Sequence, residues 1–112
     1  MKLKKKRLTQ TEVRFALANY FFPDNHKLYL PNPFTSADDS KSLRDKIGES
    51  GYLRLEFFRT PESYYLVCFQ ANDSEELIEA TNEDEFTAVV LCALLIAGIK
   101  AEIVESKRRK IL

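Results

Sequence analysis

The sequence predicts an α+β domain in which a small antiparallel sheet is sandwiched between helices. Residues 52–70 alternate between apolar and polar side chains, which is the period of β-strands. Residues 10–21 and 37–47 carry apolar side chains at helical spacing. In a helix predicted over 82–97, the body from Phe86 onward is apolar nearly all round, so this helix needs cover on most sides and organises the core. At 112 residues, the chain is the size of one domain whose core needs no disulfide or metal.

The first two helices are predicted by their capping residues. Thr9 and Glu12 have the spacing of a capping box, which starts a helix over 10–21 that a proline then ends. Ser36, followed three residues later by an aspartate, starts a second helix over 37–47. Two glycines beyond it supply the stop.

The strands follow the second helix. A hairpin is predicted over 52–59 and 64–70, because the link over 60–63, Thr-Pro-Glu-Ser, has turn chemistry. In its first strand, one face is expected to carry Leu53, Leu55 and Phe57. Residues 77–80 predict a short third strand. Residues 99–104 fit either an edge strand or a helical extension, with the strand slightly favoured.

Thr81 is the expected N-cap of the apolar helix over 82–97, and Gly98 ends it. This helix must cover one face of the sheet. The second face is too apolar for bare solvent, and we expect an N-terminal helix to cover it. That face is expected to carry Tyr52, Phe58, Tyr64, Leu66 and Cys68.

Charge is unevenly spread, although the formal net charge is zero. A basic arm over 1–8 and a basic tail over 106–112 enclose an acidic body. Clustered cations attract phosphates, so these ends are candidate binding residues, although no nucleic-acid-binding motif accompanies them. The candidates are Lys4, Lys5, Lys6, Arg7, Lys107, Arg108, Arg109 and Lys110.

An acidic cluster is the second candidate binding feature. It lacks the ligand spacing and fixed glycine of a calcium loop. A solvated loop and favourable charge at a helix N-terminus explain much of it, and a basic partner is the functional interpretation. The candidate partner-facing residues are Glu75, Glu76, Glu79, Glu83 and Asp84.

No catalytic or metal-ligating set is evident, so we expect a protein that is not an enzyme and needs no cofactor. His26 is the only histidine and lies in a turn sequence. Cys68 and Cys92 sit in apolar surroundings and are expected to be buried thiols, with a disulfide between them as the alternative. The apolar run before Gly98 is too short for a bilayer, so we expect a cytoplasmic protein and no membrane partner.

A resemblance adds to this interpretation. Phe34-Thr35-Ser36 opens a helix, a hairpin follows over 52–70, and Ala80-Thr81 leads into a helix that ends in the alanine-rich stretch before Gly98. This order resembles the phage ABA sandwich family of small phage and prophage proteins. The resemblance implies a helix–sheet–helix sandwich and a phage or mobile-element origin. It implies no catalytic activity and supplies no functional residues.

These observations predict a non-enzymatic protein-binding module of phage or prophage origin that docks on a host or phage protein in the host cytoplasm. Inhibition of a host defence system is one form of that function. The alternative is a nucleic-acid-associated accessory protein that uses its basic ends. A homodimer is also left open, because an edge strand or an apolar helix provides a surface for self-association.

Overall fold

The computed structural model describes residues 6–23, 30–59, 61 and 64–104, and of residues 54–59 only the backbone. Within these residues the chain forms three helices, a three-stranded antiparallel sheet and a separate pair of parallel strands, which confirms the predicted α+β class. The elements are β1 (Lys6–Thr9), α1 (Gln10–Phe21), α2 (Ala37–Glu49), β2 (Tyr52–Arg59), β3 (Tyr65–Ala71), β4 (Leu77–Asn82), α3 (Glu85–Ile96) and β5 (Ala101–Val104). In this part of the chain, no helix is both long and apolar enough to cross a membrane.

Helix α1 begins and ends where the sequence predicted. The Thr9 amide donates to Glu12 Oε1 at 2.8 Å, and the Glu12 amide donates to Thr9 Oγ1 at 3.2 Å. This capping box satisfies two backbone donors that the first turn leaves without helical partners. Val13, Leu17 and Phe21 form the buried side of the helix.

Helix α2 also begins at its predicted cap, because Ser36 Oγ accepts a hydrogen bond from the Asp39 amide at 3.1 Å. It runs to Glu49, two residues beyond the predicted end. Leu43 and Ile47 are buried, as its apolar spacing indicated. Gly51 follows with φ of +98°, a conformation that glycine adopts without a steric penalty.

The antiparallel sheet has the order β2-β3-β4, which confirms the hairpin and the third strand. The β2–β3 register shifts between Arg54 and Glu56, so β2 contains one extra residue at this point. Leu53 pairs with Gln70, and Phe57 pairs with the buried Val67, so the bulge interrupts the strict alternation that the sequence predicted from Leu53 to Phe57.

Helix α3 begins later than predicted, and Thr81 is not its cap. Thr81 lies in β4, paired with Leu66 of β3, where a β-branched residue is well suited. The N-cap is Asp84, whose Oδ2 accepts from the Thr87 amide at 2.9 Å and from Thr87 Oγ1 at 2.7 Å. The strand therefore extends through two residues that the sequence assigned to the helix and its cap.

The parallel pair joins the two ends of the described chain. β5 confirms the slight preference for a strand over residues 99–104. β1 was not predicted: Lys6, Arg7 and Leu8 were expected to belong to a solvated arm, but they pair in parallel with Ala101–Ile103. Leu8 packs against the core, whereas Lys6 and Arg7 remain exposed. A strand this short depends on its partner, so its own sequence carries little signal.

The described helices lie on one side of the three-stranded sheet. Val67 and Phe69 of β3 share one buried cluster with side chains of all three helices. α3 packs on β3 and β4, and α2 packs on β2 and α3. α1 instead contacts α2, α3 and the parallel pair. Among the described residues, no N-terminal helix covers the second sheet face, although the sequence had predicted one there.

Candidate functional site

The predicted basic residues are only partly within the described chain. Lys6 and Arg7 are exposed at the start of β1, and the Lys6 amide donates to the Lys100 carbonyl at 2.8 Å. This pairing brings the exposed Lys100 beside them, a neighbour that the sequence did not reveal. Lys4, Lys5, Lys107, Arg108, Arg109 and Lys110 lie outside the described residues.

The predicted acidic residues follow β4 from end to end, and the structure exposes all five. Glu75 and Glu76 precede the strand, Glu79 lies in its middle, and Glu83 and Asp84 follow it. Asp84 also caps α3, so this member of the cluster has a structural role. The cluster therefore forms an acidic border along one edge of the sheet.

The sheet face away from the helices, which we call the outer face, exposes large apolar side chains. Leu53 is 59% exposed and Leu77 is 49% exposed, and Tyr64, just before β3, is 41% exposed. Gln70 pairs with Leu53 on one side and with Leu77 on the other, so the two leucines stand in one row across the three strands. Sequence reasoning missed Leu53, because the bulge that turns it outward leaves no clear signal in the alternation.

A cleft of about 220 Å³ opens beside β4, and we call it the β4 cleft. Leu91 and Leu95, one turn apart on α3, are half-buried there, whereas their neighbours Val90 and Leu94 are buried. The lining residues are Ala80, Thr81, Leu91, Leu95, Lys100 and Ala101. The cleft thus lies between β4 and the start of β5, with α3 as its floor.

A more polar cleft of about 290 Å³ surrounds Tyr52, whose ring is half-buried at the start of β2. Burial raises the pKa of the Tyr52 hydroxyl, and the nearby Glu76, Tyr20 and Asp73 raise this pKa further. The phenol is therefore protonated at neutral pH, where it can donate a hydrogen bond but cannot act as a base. The sequence had placed Tyr52 on the second sheet face, but it pairs with Ala71 and packs against the core.

The other candidates are the two cysteines and the histidine. Cys68 and Cys92 are buried thiols rather than halves of a disulfide, as expected, and the Cys92 thiol lies 3.5 Å from the Val67 carbonyl oxygen. In the part of the chain that is described, no three histidine, cysteine or acidic side chains are grouped to hold a metal ion. His26 falls outside that part.

Comparison with known proteins gives no match: no family model, no curated protein and no solved structure is significantly similar to the chain. The resemblance to the phage ABA sandwich family is therefore still a hypothesis from the order of motifs. The surface features with a possible function are the outer face, its acidic border and the β4 cleft.

Proposed function

We propose that this protein is a protein-binding module and that its partner docks on the outer face of the sheet and the acidic border along β4. The observation that carries the proposal is the row of Leu53 and Leu77, two leucines that are 59% and 49% exposed. Apolar side chains gathered on one surface with a charged border are typical of interaction sites.

Covering the outer face contributes free energy in proportion to the apolar area that is withdrawn from water. Withdrawing a half-exposed leucine from water contributes on the order of 1 kcal/mol, so a partner that covers this face gains a few kcal/mol from apolar contact. The acidic border adds a long-range attraction for a basic surface and disfavours an acidic one. The surface therefore fits a protein with an apolar patch surrounded by lysine or arginine.

The resemblance to small phage proteins supplies the setting of this proposal. In that setting the chain acts in the host cytoplasm by docking on a host or phage protein, and one form of this action is inhibition of a host defence system. The support is the order of helix, hairpin and apolar helix from Pro33 to Gly98.

The test is quantitative affinity capture with two matched variants. Leu77 and Phe15 are both 49% exposed, but Phe15 lies on α1. We expect Leu77→Ser to abolish recovery of proteins that the unaltered chain captures, whereas Phe15→Ser retains them. Equal recovery with both variants, at equal folded fractions by circular dichroism, would refute docking on the outer face.

A nucleic-acid function is the second candidate, and the grouping of Lys6, Arg7 and Lys100 is the observation that favours it. Cations held together at one end of a strand pair can contact neighbouring phosphates. In this case, Lys6→Gln combined with Lys100→Gln lowers the dependence of affinity for duplex DNA on salt concentration. A slope that does not change, or no binding at low salt, argues against this candidate.

A further inference from the structure

Two strands that contact α3, β4 and β5, each have one edge that no other described strand occupies. β4 is the last strand of its sheet, and β5 pairs on one side with β1. α3 contacts β4 and β5 but not β1, so β5 lies on the inner side of the pair, nearer to β4. Edge strands of this kind carry backbone N–H and C=O groups that can accept another strand.

The two edges are farther apart than neighbouring strands of one sheet. No Cα atom of β4 lies within 8 Å of a Cα atom of β5, so the two strands are too far apart to pair with each other. Neighbouring strands in a sheet are about 4.8 Å apart, so one strand between them would hold its two neighbours roughly 9.6 Å apart. The β4 cleft occupies this interval.

The floor of the interval is apolar. Leu91 and Leu95 retain exposed surface there, although they belong to a helix that is otherwise buried at its centre. Ala80 and Ala101, whose side chains are small, form the two walls. Side chains that pointed inward from an added strand would cover the leucines, and alternate residues of a strand point to the same side.

The outward side of the interval has a carboxylate on each strand, although Lys100 lines one end of the cleft and Arg7 is the register partner of Glu102. Glu79 of β4 and Glu102 of β5 are both exposed, and each alternates with residues that pack toward the core. An outward side chain of an added strand would have a carboxylate on each flank, and opposite charges on adjacent strands are favourable. A lysine or arginine therefore fits this position. A second copy that presented its own β4 would instead bring two acidic borders together.

We propose, building on the protein-binding function above, that the partner contributes an extended segment that adds a strand between β4 and β5. The segment alternates apolar residues, which enter the β4 cleft, with basic residues, which lie between Glu79 and Glu102. Backbone hydrogen bonds to β4 supply affinity, and the alternating side chains supply specificity. The added strand joins the sheet and the parallel pair into one six-stranded sheet covered by the three described helices.

The test uses a synthetic peptide of seven residues in which lysine and valine alternate. We expect it to bind in calorimetry and to slow hydrogen exchange of β4 and β5 backbone amides about tenfold or more, because exchange requires an open hydrogen bond. The same peptide with N-methylated valines cannot form backbone hydrogen bonds along one edge. A version with glutamate in place of lysine would place like charges beside Glu79 and Glu102. Both control peptides should bind at least about tenfold more weakly, a difference of about 1.4 kcal/mol.

Charge-reversal variants examine the outward contacts. Glu79→Lys together with Glu102→Lys should weaken binding of the lysine–valine peptide about tenfold and strengthen binding of the glutamate version. Glu49→Lys is the matched control, because Glu49 is an exposed acid at the end of α2, and it should leave both affinities unchanged.

Three outcomes would overturn this proposal. If the β4 amides are already as protected as the β3 amides in the protein alone, the chain fills its own gap, and if the sedimentation mass is then that of two chains, the occupant is a second copy. The third outcome is no change in β4 exchange with saturating peptide. If Leu77→Ser abolishes partner capture while the peptide leaves β4 unchanged, docking stands and strand addition fails. If the peptide protects β4 but capture is insensitive to Leu77→Ser, the outer-face function fails instead.

Discussion

Asp84→Ala tests where helix α3 begins. Asp84 accepts hydrogen bonds from the Thr87 amide and hydroxyl at 2.9 and 2.7 Å, and its carboxylate lies at the positive end of the helix dipole. Loss of an N-cap side chain costs about 1 kcal/mol, and loss of a charge at this position adds about 0.5 kcal/mol. We therefore expect Asp84→Ala to lower the free energy of unfolding by about 1.5 kcal/mol, and Asp84→Asn by about 0.5 kcal/mol.

Thr81→Val is the matched comparison. It removes the hydroxyl that would cap a helix starting at residue 82, but it keeps the β-branched shape that suits β4. Because Thr81 is exposed in the strand, we expect a change within about 0.5 kcal/mol. Urea unfolding followed by circular dichroism measures both, with an unchanged m-value as the requirement for comparing them. A larger loss for Thr81→Val than for Asp84→Ala would refute the assignment of the cap.

Three further predictions concern the core, a helix connection and alkaline pH. Leu43 is 1% exposed, so Leu43→Ala should cost about 2–5 kcal/mol in urea unfolding; a loss under about 1 kcal/mol would mean that α2 does not pack as described. Arg14 donates from Nε to the Pro31 carbonyl at 3.0 Å and from Nη2 to the Leu30 carbonyl at 2.9 Å. Because lysine cannot make this fork, Arg14→Lys should cost about 1–3 kcal/mol, and a neutral result would contradict the contact. The pKa of Tyr52 is raised in the folded state, so its contribution to stability is complete below pH 10 and is lost as pH rises through the folded-state pKa. Tyr52→Phe should therefore reduce the fall in unfolding free energy above pH 10, and identical pH profiles would exclude the shift.

Local chemistry made the first two helices predictable. The Thr9–Glu12 box and the Ser36 cap each act within a few residues, so the sequence alone contains both partners of every capping hydrogen bond. The hairpin was predictable for the same reason, because the turn and the alternation that flank it are local.

The missed features depend on distant partners. Thr81 and Asp84 are both good caps, and the choice between them is made by Leu66 of β3, with which Thr81 pairs. β1 exists because Lys6 meets Ala101, at the far end of the described chain. The bulge in β2 is set by pairing with β3, and it alone decides that Leu53 faces outward.

The candidate site also combines features that the local sequence predicts with features that depend on distant partners. The sequence identified the acidic residues along β4, but it could not show that they border an exposed apolar face. The β4 cleft requires β4, α3 and β5 to be placed together, which no single segment encodes. Lys6 and Lys100 are brought together by a backbone hydrogen bond, which also joins segments that are distant in the sequence.

The parallel pairing of β1 with β5 has a consequence for how the protein is made. β1 precedes every other described element along the chain, and its partner β5 is synthesised after all of them. Contacts between such distant residues form slowly, because a long loop must close first. Helix α1 is therefore synthesised well before the strand pair that packs beside it can form.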